Sequence, residues 1–137
     1  MKTIEQFKKT ASLNGVEVIN FEEIEPKLSE LGYDGKTHFS KDGVGVVLAI
    51  SAAASEGNAL VSSNTEQELS CLIDNKELYI IINKDDIYPS MYEAYKKSSV
   101  IQWNYLMFIG AESKTADIEK QLVSGVQAAE RVVFVLR

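Results

Sequence analysis

The amino-acid sequence predicts an α/β fold, in which strands alternate with helices along the chain. Three segments of its second half, residues 78–82, 105–109 and 132–136, are continuous apolar runs of strand length. Helical spacing separates them, and strands without polar alternation are typical of sheets that are covered on both faces. With 137 residues, 45% of them hydrophobic, the chain is long enough to bury a core as one domain over residues 1–137.

The amino-terminal segment predicts a helix that is followed by a short strand. Ile4, Phe7 and Ala11 have the i, i+3, i+7 spacing of one helix face, and Gly15 is a helix stop. Residues 16–19 then read as a strand. Residues 1–43 are the part of the chain that we expect to form either a helical cover or the completion of the fold.

A second helix is predicted between Asn20 and Gly32. Asn20 is a helix-capping residue type, and the glutamates that follow it suit the positive end of a helix dipole. Pro26 disfavours helical geometry at the residue before it, which predicts that the regular helix begins only at Pro26. Three apolar residues line one face of this segment: Ile24, Leu28 and Leu31.

The middle of the chain alternates between polar turns and apolar segments. Residues 33–43 read as a loop because they are rich in Gly, Asp and Ser. Residues 44–54 are apolar, but their β-branched start favours a strand and their Ala-rich end favours a helix. After a turn at residues 56–58, the sequence predicts a short strand at 59–62 and a helix at 66–73.

Two further helices are predicted between the apolar strands of the second half. Pro89 suits the first turn of one of them, after a polar turn. The other follows the turn at residues 110–114. Ser113 or Thr115 would cap this helix, with Asp117 in its first turn.

Charge and composition exclude several classes of function. The chain carries 14 Lys and Arg against 20 Asp and Glu, a net charge of −6, whereas nucleic-acid binding needs a basic face. The single cysteine, Cys71, excludes a disulfide framework, and the single histidine, His38, excludes a His-pair zinc site. No run approaches the ~20 apolar residues of a membrane span. We therefore expect a cytoplasmic protein with no membrane partner, no nucleic-acid partner, no cofactor and no metal.

Two turns are candidate ligand sites, because ligands of α/β sheets bind beyond the carboxyl ends of strands. The first turn contains Gly110, Ser113, Lys114 and Thr115, just before the predicted helix. Free backbone N–H groups at a helix N-terminus, two hydroxyls and a lysine favour an anion. The spacing of a nucleotide-binding P-loop is not met. A well-capped helix without a ligand is the alternative interpretation.

The second turn contains Glu56, Gly57 and Asn58. Gly57 and Asn58 tolerate positive φ, and Glu56 stands between apolar segments, where a carboxylate can serve as a general base. A solvated turn glutamate is the alternative interpretation.

Cys71 and His38 could form a nucleophilic pair. The alternative interpretation is that Cys71 is a buried, inert thiol and that His38 is an exposed loop histidine.

Three segments match a known pattern in order. Residues 110–131 (GAESKTADIEKQLVSGVQAAER) match G-P-S-[RK]-T-A-D-I-E followed by L-V-x-G-V-H-G-P, and the block at 113–119 is the most specific part. Residues 53–61 (AASEGNALV) are similar to A-I-A-E-T-G-T-L-V. Residues 78–89 (LYIIINKDDIYP) are similar to an apolar strand that is followed, after four variable residues, by I-V-P. Over residues 44–137 the chain thus resembles the LUD-domain family, the lactate-utilisation domain.

The chain departs from the family pattern in several places, and two of these departures remove side-chain groups. The family's Thr-Gly-Thr after the glutamate is Gly57-Asn58-Ala59 here, which removes two hydroxyls. The family's His-Gly-Pro is Gln127-Ala128-Ala129, which removes an imidazole. These losses favour a non-catalytic interaction module over chemistry that uses those groups.

The resemblance implies a three-layer α/β/α fold with a mostly parallel sheet, like that of the NagB/RpiA/CoA-transferase group. It also implies a role in lactate utilisation. Domains of this family accompany iron–sulfur subunits, so an iron–sulfur protein is the implied partner. One cysteine cannot hold such a cluster in this chain itself.

The leading hypothesis is a LUD-type protein that binds a small anionic ligand at the helix N-terminus near Ser113, Lys114 and Thr115. Asp117 would orient that loop, and Glu56 would face the same crevice. One alternative is an interaction module, either a homodimer or a subunit of an iron–sulfur lactate-oxidising complex. Another is an enzyme that acts on a sugar phosphate or an acyl-CoA with Glu56 as general base. Whether the protein turns over a substrate stays open.

Overall fold

A computed structural model of the chain describes residues 2–35, 38–110, 116–118, 121–123 and 130–137. The helices in this part of the chain are α1 (Lys2–Leu13), α2 (Phe21–Leu31), α3 (Glu66–Ile73) and α4 (Met91–Lys96). The strands are β1 (Glu17–Asn20), β2 (His38–Lys41), β3 (Val44–Leu48), β4 (Ser51–Ala53), β5 (Asn58–Ser63), β6 (Glu77–Ile82), β7 (Ile87–Tyr88), β8 (Tyr105–Ile109), β9 (Ala116–Ile118), β10 (Gln121–Val123) and β11 (Arg131–Leu136).

The larger sheet has the strand order β1-β11-β6-β3-β2. Its neighbouring strands are parallel, except that β2 runs antiparallel to β3. Tyr79, in the central strand β6, pairs with Val133 of β11 on one side and with Val46 of β3 on the other. The sheet is therefore mostly parallel, which confirms the predicted fold class.

A smaller sheet has the order β7-β4-β5-β8. β5 runs antiparallel to both β4 and β8, while β7 runs parallel to β4. The sequence did not predict this second sheet as a unit. Two of its strands, β4 and β7, have only three and two residues, too few to show a periodic pattern.

Helices cover both faces of the larger sheet. On one face, Ile24 and Leu28 of α2 pack against Tyr79 and its neighbours. On the other face, Phe7 of α1 and Leu72 of α3 share a core with the inner side of the smaller sheet. α4 packs on the outer side of that smaller sheet. The larger sheet thus lies between helical layers, as in the predicted α/β/α arrangement.

The amino-terminal segment contributes to the core of the larger sheet. Phe7 and Ala11 of α1 are fully buried, and the ring centroid of Phe7 lies 5.3 Å from that of Phe134 in β11. β1 adds a parallel strand beside β11. Residues 2–20 therefore pack against strands from the opposite end of the chain.

α2 begins at Phe21 and not at Pro26, so the expected start was wrong. The backbone N–H of Asn20 donates to the Glu23 carboxylate at 2.9 Å, as in a capping box. Pro26 sits inside the helix, where it cannot donate to the preceding turn. The buried Ile24 needs the first helical turn to reach the sheet, and this burial outweighs the lost hydrogen bond.

Part of the expected loop at residues 33–43 is a strand. β2 pairs with β3 through a hairpin whose two loop residues are Asp42 and Gly43. Both have positive φ, at 54° and 80°, as a type I′ turn requires, and Asp-Gly is a favoured sequence for that turn. The Asp-Gly pair marked a turn correctly, but β2 is too polar to read as a strand.

The helix expected after residue 113 is contradicted over residues 116–118 and 121–123. These residues form β9 and β10, which pair antiparallel with Ile118 opposite Gln121. β9 pairs with β10 and lies beside β8, so pairing with other strands outweighs the helical spacing. The expected capping residues Ser113 and Thr115 lie outside the described residues.

A charged network lies where β6 and β11 begin. The Tyr79 hydroxyl donates to Glu77 at 2.7 Å, and the Lys27 ammonium donates to Glu77 at 3.0 Å. These two hydrogen bonds hold the pKa of the Glu77 carboxyl below its usual range. Arg131 pairs with Glu17 at 2.7 Å and lies 3.9 Å from Glu77. The network joins α2, β1, β6 and β11 at the end of the larger sheet where these parallel strands begin.

No helix in the described part of the chain is both long enough and apolar enough to span a membrane.

Candidate functional site

Gly110, the first residue of one predicted ligand turn, lies beside the other predicted turn at one end of the smaller sheet. Asn58 is the first residue of β5, and Gly110 follows the last residue of β8. In the register of these strands Ala59 pairs with Ile109, so Asn58 lies opposite Gly110. A Cβ placed on Gly110 would lie 3.4 Å from the Cβ of Asn58. We call the group of Gly57, Asn58 and Gly110 the Asn58 junction.

The end of α1 supports the turn that leads into the junction. Gly57 has φ +66°, and a Cβ on it would lie 2.7 Å from the backbone nitrogen of Ala11. The side-chain amide of Asn14 donates to the carbonyl of Glu56 at 3.0 Å. Glycine is therefore required at position 57 both by backbone conformation and by the close approach of α1.

Asn58 is the unusual side chain of the junction, because one of its polar atoms is buried without a partner. The residue is 2% exposed. Its Nδ2 donates to the thioether sulfur of Met91 at 3.8 Å, a weak contact. Its Oδ1 has no hydrogen-bond partner among the described residues. An unpaired buried acceptor costs about 1–3 kcal/mol, so native proteins keep few of them.

The remaining predicted site residues are placed as follows. Glu56 is exposed in the turn before Gly57, so its carboxylate faces solvent. Ser113, Lys114 and Thr115 lie outside the described residues. Asp117 belongs to β9, opposite Leu122, and not to a helix N-terminus. The structure therefore brings Gly57, Asn58 and Gly110 together, while the general-base role of Glu56 stays a prediction.

Sequence reasoning missed the contribution of α1 and the burial of Asn58. Asn14 lies 42 residues from the carbonyl that it contacts, and nothing in its local sequence signals that contact. Asn58 was selected because asparagine tolerates positive φ, but among the described non-glycine residues only Asp42 has positive φ. The residue is of interest for a different reason, its unpaired amide oxygen.

A cleft of about 670 Å³ lies between β2 and α3, apart from the Asn58 junction. The residues that line it are Asp34, His38, Phe39, Ser40, Thr65, Gln67, Glu68, Ser70 and Cys71. Here the structure does bring Cys71 and His38 to one cleft. Burial, followed by the nearby charge of Glu68, raises the pKa of the Cys71 thiol. The thiol is thus protonated at neutral pH, which favours the inert interpretation.

His38 lies in a Ser-His-Glu arrangement that resembles a catalytic triad only in its order. Its Nε2 is 2.8 Å from the carbonyl of Ser62 and 3.3 Å from the hydroxyl of Ser63. Its Nδ1 is 3.8 Å from a Glu68 oxygen. A carbonyl oxygen only accepts hydrogen bonds, so Nε2 is the ring nitrogen that bears the hydrogen and donates it to Ser62. A nitrogen that already bears a hydrogen cannot take the proton of the Ser63 hydroxyl, as a general base must. Ser63 is also 1% exposed, so the group does not form a nucleophile.

The described residues contain no group of three or more His, Cys, Asp or Glu side chains that could hold a metal ion. Among the described residues, the Asn58 junction combines two glycines with a buried polar atom that has no partner.

Comparisons with known proteins place the chain in a family. No curated protein sequence matches it. Its fold is similar to the crystal structure of a DUF162 family protein from Deinococcus radiodurans, with 9% sequence identity and a TM-score of 0.66, over 98% of this chain and 96% of that one. The family model for the LUD domain matches residues 34–136, most of the chain. The chain therefore belongs to the LUD-domain family, which is related to lactate utilisation.

Proposed function

We propose that this LUD-domain protein binds a small anionic ligand at the Asn58 junction. The observation that carries the proposal is the buried, unpaired Oδ1 of Asn58, a residue that lies opposite Gly110. A bound ligand can pair this atom and remove the cost of leaving it alone. Gly110 supports the same reading, because a side chain there would occupy the space beside Asn58.

Lys114 supplies the positive charge of the proposed site. It follows Gly110 by four residues, and four residues span at most about 14 Å. β9 begins two residues later and lies beside β8. In the proposed site Ser113 and Thr115 would add hydroxyl donors for the anion, and Asp117 would orient the segment that carries them.

A thermal-shift screen of the purified protein tests the proposal. The probes are lactate, sugar phosphates, coenzyme A and its esters, and inorganic phosphate. A ligand at 100 times its dissociation constant stabilises the fold by about 2.7 kcal/mol. We expect the shift to be lost in Lys114→Ala and kept in Lys41→Ala, a control at an exposed lysine of β2. A cooperative melt with no shift for any probe would contradict the proposal.

Gly110→Ala gives a second, steric test of the same site. The added methyl would lie 3.4 Å from the Asn58 Cβ, which is an ordinary contact distance that the fold tolerates. The same methyl would collide with a ligand bound beside Asn58. We expect weaker ligand binding with little change in the melting temperature of the free protein. Unchanged binding in Gly110→Ala would move the site away from the junction.

A role as an interaction module is the second candidate, and an exposed apolar surface favours it. Tyr92 and Val100 are 71% and 77% exposed, and Tyr95 and Ile101 are 42% and 40% exposed. Large apolar side chains grouped on a surface are typical of protein contacts. Sedimentation of the pure protein tests for a homodimer, and co-purification tests for an iron–sulfur partner. A monomer that captures no such partner would remove this candidate.

An enzymatic role on a sugar phosphate or an acyl-CoA would use the exposed Glu56 as general base. Turnover of such a substrate that is abolished by Glu56→Gln would support it. Binding without turnover, with affinity unchanged in Glu56→Gln, would leave the protein as a binding domain.

A further inference from the structure

A cleft opens at the end of the smaller sheet where β5 ends and β8 begins. Five residues line it: Asn64, Ile101, Gln102, Trp103 and Asn104. Its volume of about 680 Å³ lies within the range of about 300–1,000 Å³ that is usual for ligand sites. Ser63 pairs with Tyr105 at this end of the two strands, whereas the Asn58 junction lies at their other end. The cleft is therefore separate from the junction.

Trp103 provides a flat apolar surface in the cleft. The residue is partly exposed, and it packs against the buried core that contains Leu106 and Phe108. This packing restricts the ring, while its accessible part lines the cleft. The indole N–H makes no hydrogen bond with the described residues, so this donor can serve a ligand. Ile101, which is 40% exposed, adds a second apolar side chain.

Three side-chain amides lie beside this apolar surface. The amide nitrogen of Asn104 donates to the carbonyl of Asn64 at 2.7 Å, so Oδ1 of Asn104 is the atom left for a ligand. The amides of Asn64 and Gln102 make no hydrogen bond within the described part of the chain, and both residues are exposed. The backbone N–H of Asn104 also donates to the carbonyl of Ser63 at 3.1 Å. These two bonds of Asn104 order the cleft before any ligand arrives.

The lining of the cleft is polar but uncharged, since none of its five side chains is ionisable. A charged ligand would find no opposite charge among them to offset its lost hydration. Amides both donate and accept hydrogen bonds, as the hydroxyl groups of a sugar do, and the C–H face of a sugar ring can pack on an indole. We propose that the cleft binds an uncharged saccharide, with one sugar ring against Trp103 and its hydroxyls on the amides.

A nucleoside is the competing ligand, because a base also stacks on an aromatic ring and pairs with amides. The exposure of the lining residues favours the saccharide. Asn64, Gln102 and Asn104 are all exposed, so a ligand on Trp103 keeps its outer side in water. A base would leave one apolar face wet, whereas a sugar keeps its outer hydroxyls hydrated at no cost.

Tryptophan fluorescence tests the proposal directly, because Trp103 is the only tryptophan of the chain. The full chain is titrated with methyl glucoside, methyl galactoside, maltose and cellobiose, and with glycerol as an acyclic control. We expect a saturable change in Trp103 emission with at least one saccharide, bound about tenfold more tightly than glycerol because only the sugar has a ring face to stack. Lactate and inorganic phosphate, which are probes of the junction, should not compete.

Two variants remove an amide without disturbing the fold. Gln102→Ala and Asn64→Ala each delete a side chain that makes no hydrogen bond with the described residues. Each should weaken saccharide binding about 2- to 10-fold, as the loss of one hydrogen bond does, and should leave the melting temperature unchanged. Gln67→Ala is the matched control, because this exposed glutamine of α3 lines the cleft beside β2 instead. Its affinity should equal that of the parent protein.

Three results would overturn the proposal. The first is no saturable signal for any of the four saccharides, by fluorescence or by calorimetry. The second is tighter binding of adenosine than of every saccharide, which would assign the cleft to a nucleoside. The third is unchanged affinity when Asn64→Ala and Gln102→Ala are combined, since the amides would then not contact the ligand. Each of these results leaves the proposed anion site standing, and failure of that site leaves the saccharide cleft standing.

Discussion

Replacing Asn58 by leucine should stabilise the protein in the absence of ligand. Leucine and asparagine have the same branching at Cγ, so the change replaces a polar side chain by an apolar one of similar shape. Asn58 is 2% exposed, and its Oδ1 has no partner among the described residues. A polar-to-apolar change at a buried site normally destabilises a protein, which makes the opposite sign informative.

The magnitude follows from two terms. Removing the unpaired acceptor recovers about 1–3 kcal/mol. Losing the contact from Nδ2 to the Met91 sulfur, a weak hydrogen bond at 3.8 Å, costs under about 1 kcal/mol. The difference is a gain of about 0–3 kcal/mol, centred near 1.5 kcal/mol, and this central value raises the melting temperature by about 5 °C for a chain of this length.

Urea unfolding followed by circular dichroism measures this gain, with Asn75→Leu as the matched control. Asn75 is also buried, at 7% exposure, but both ends of its amide are paired. It donates to the carbonyl of Cys71 at 2.8 Å and accepts from the hydroxyl of Ser40 at 3.0 Å. We expect Asn75→Leu to destabilise by about 1–3 kcal/mol. Equal destabilisation by both variants would refute the reasoning, since Asn58 would then also be a paired residue.

Three further predictions concern the fold. Gly45→Ala should destabilise by about 1–3 kcal/mol in urea unfolding, because its Cβ would lie 2.5 Å from the carbonyl of Cys71; an unchanged midpoint would mean that α3 moves freely. Cys71, buried and with a raised pKa, should react with a disulfide reagent at least about tenfold more slowly in the native protein than in guanidinium, and equal rates would contradict its burial. The native pKa of the Glu77 carboxyl lies below its value of about 4.3 in the unfolded chain. The ionised carboxylate therefore contributes fully to stability at pH values above about 4.3, and this contribution is lost as the pH falls through the native pKa. Glu77→Gln should therefore show a smaller drop in urea midpoint between pH 6 and pH 3 than the parent protein, and an equal drop would refute this.

The apolar strands could be predicted from sequence because they are buried on both faces. Strands β6 and β11 contain short apolar runs rich in β-branched and aromatic residues, and this length and composition favour a buried strand over a helix. α3 was predicted with its observed bounds, Glu66–Ile73, since its capping Thr65 and its apolar spacing agree. In these segments local propensity and tertiary packing favour the same structure.

The segments that the sequence left open or got wrong are very short strands. The Ala-rich β4 has helical propensity but pairs with β5 and β7 on its two sides. β9 and β10 have helical spacing but form an antiparallel pair. A strand of three residues is too short to show a periodic pattern, so its pairing decides its structure and the local sequence does not predict it.

The candidate site was predictable only as two separate turns. Strand composition indicated where the turns before β5 and after β8 should lie. The approach of Asn58 to Gly110 depends on the antiparallel register in which Ala59 pairs with Ile109. This register is set by the packing of the sheet. The missing partner of Asn58 is the absence of a contact, which no sequence pattern can reveal.

The position of β11 in the larger sheet has a consequence for synthesis of the chain. β11 lies between β1 and β6 and pairs with both, although it follows every other described strand in the sequence. While the ribosome is still adding residues, β1 has no neighbour in the sheet and the edge of β6 is open. Unpaired strand edges invite pairing with other chains, and sheets that join distant segments fold slowly. The nascent protein is therefore most exposed to aggregation just before its last strand emerges, and a chaperone that shields the edge of β6 would be most effective at that moment.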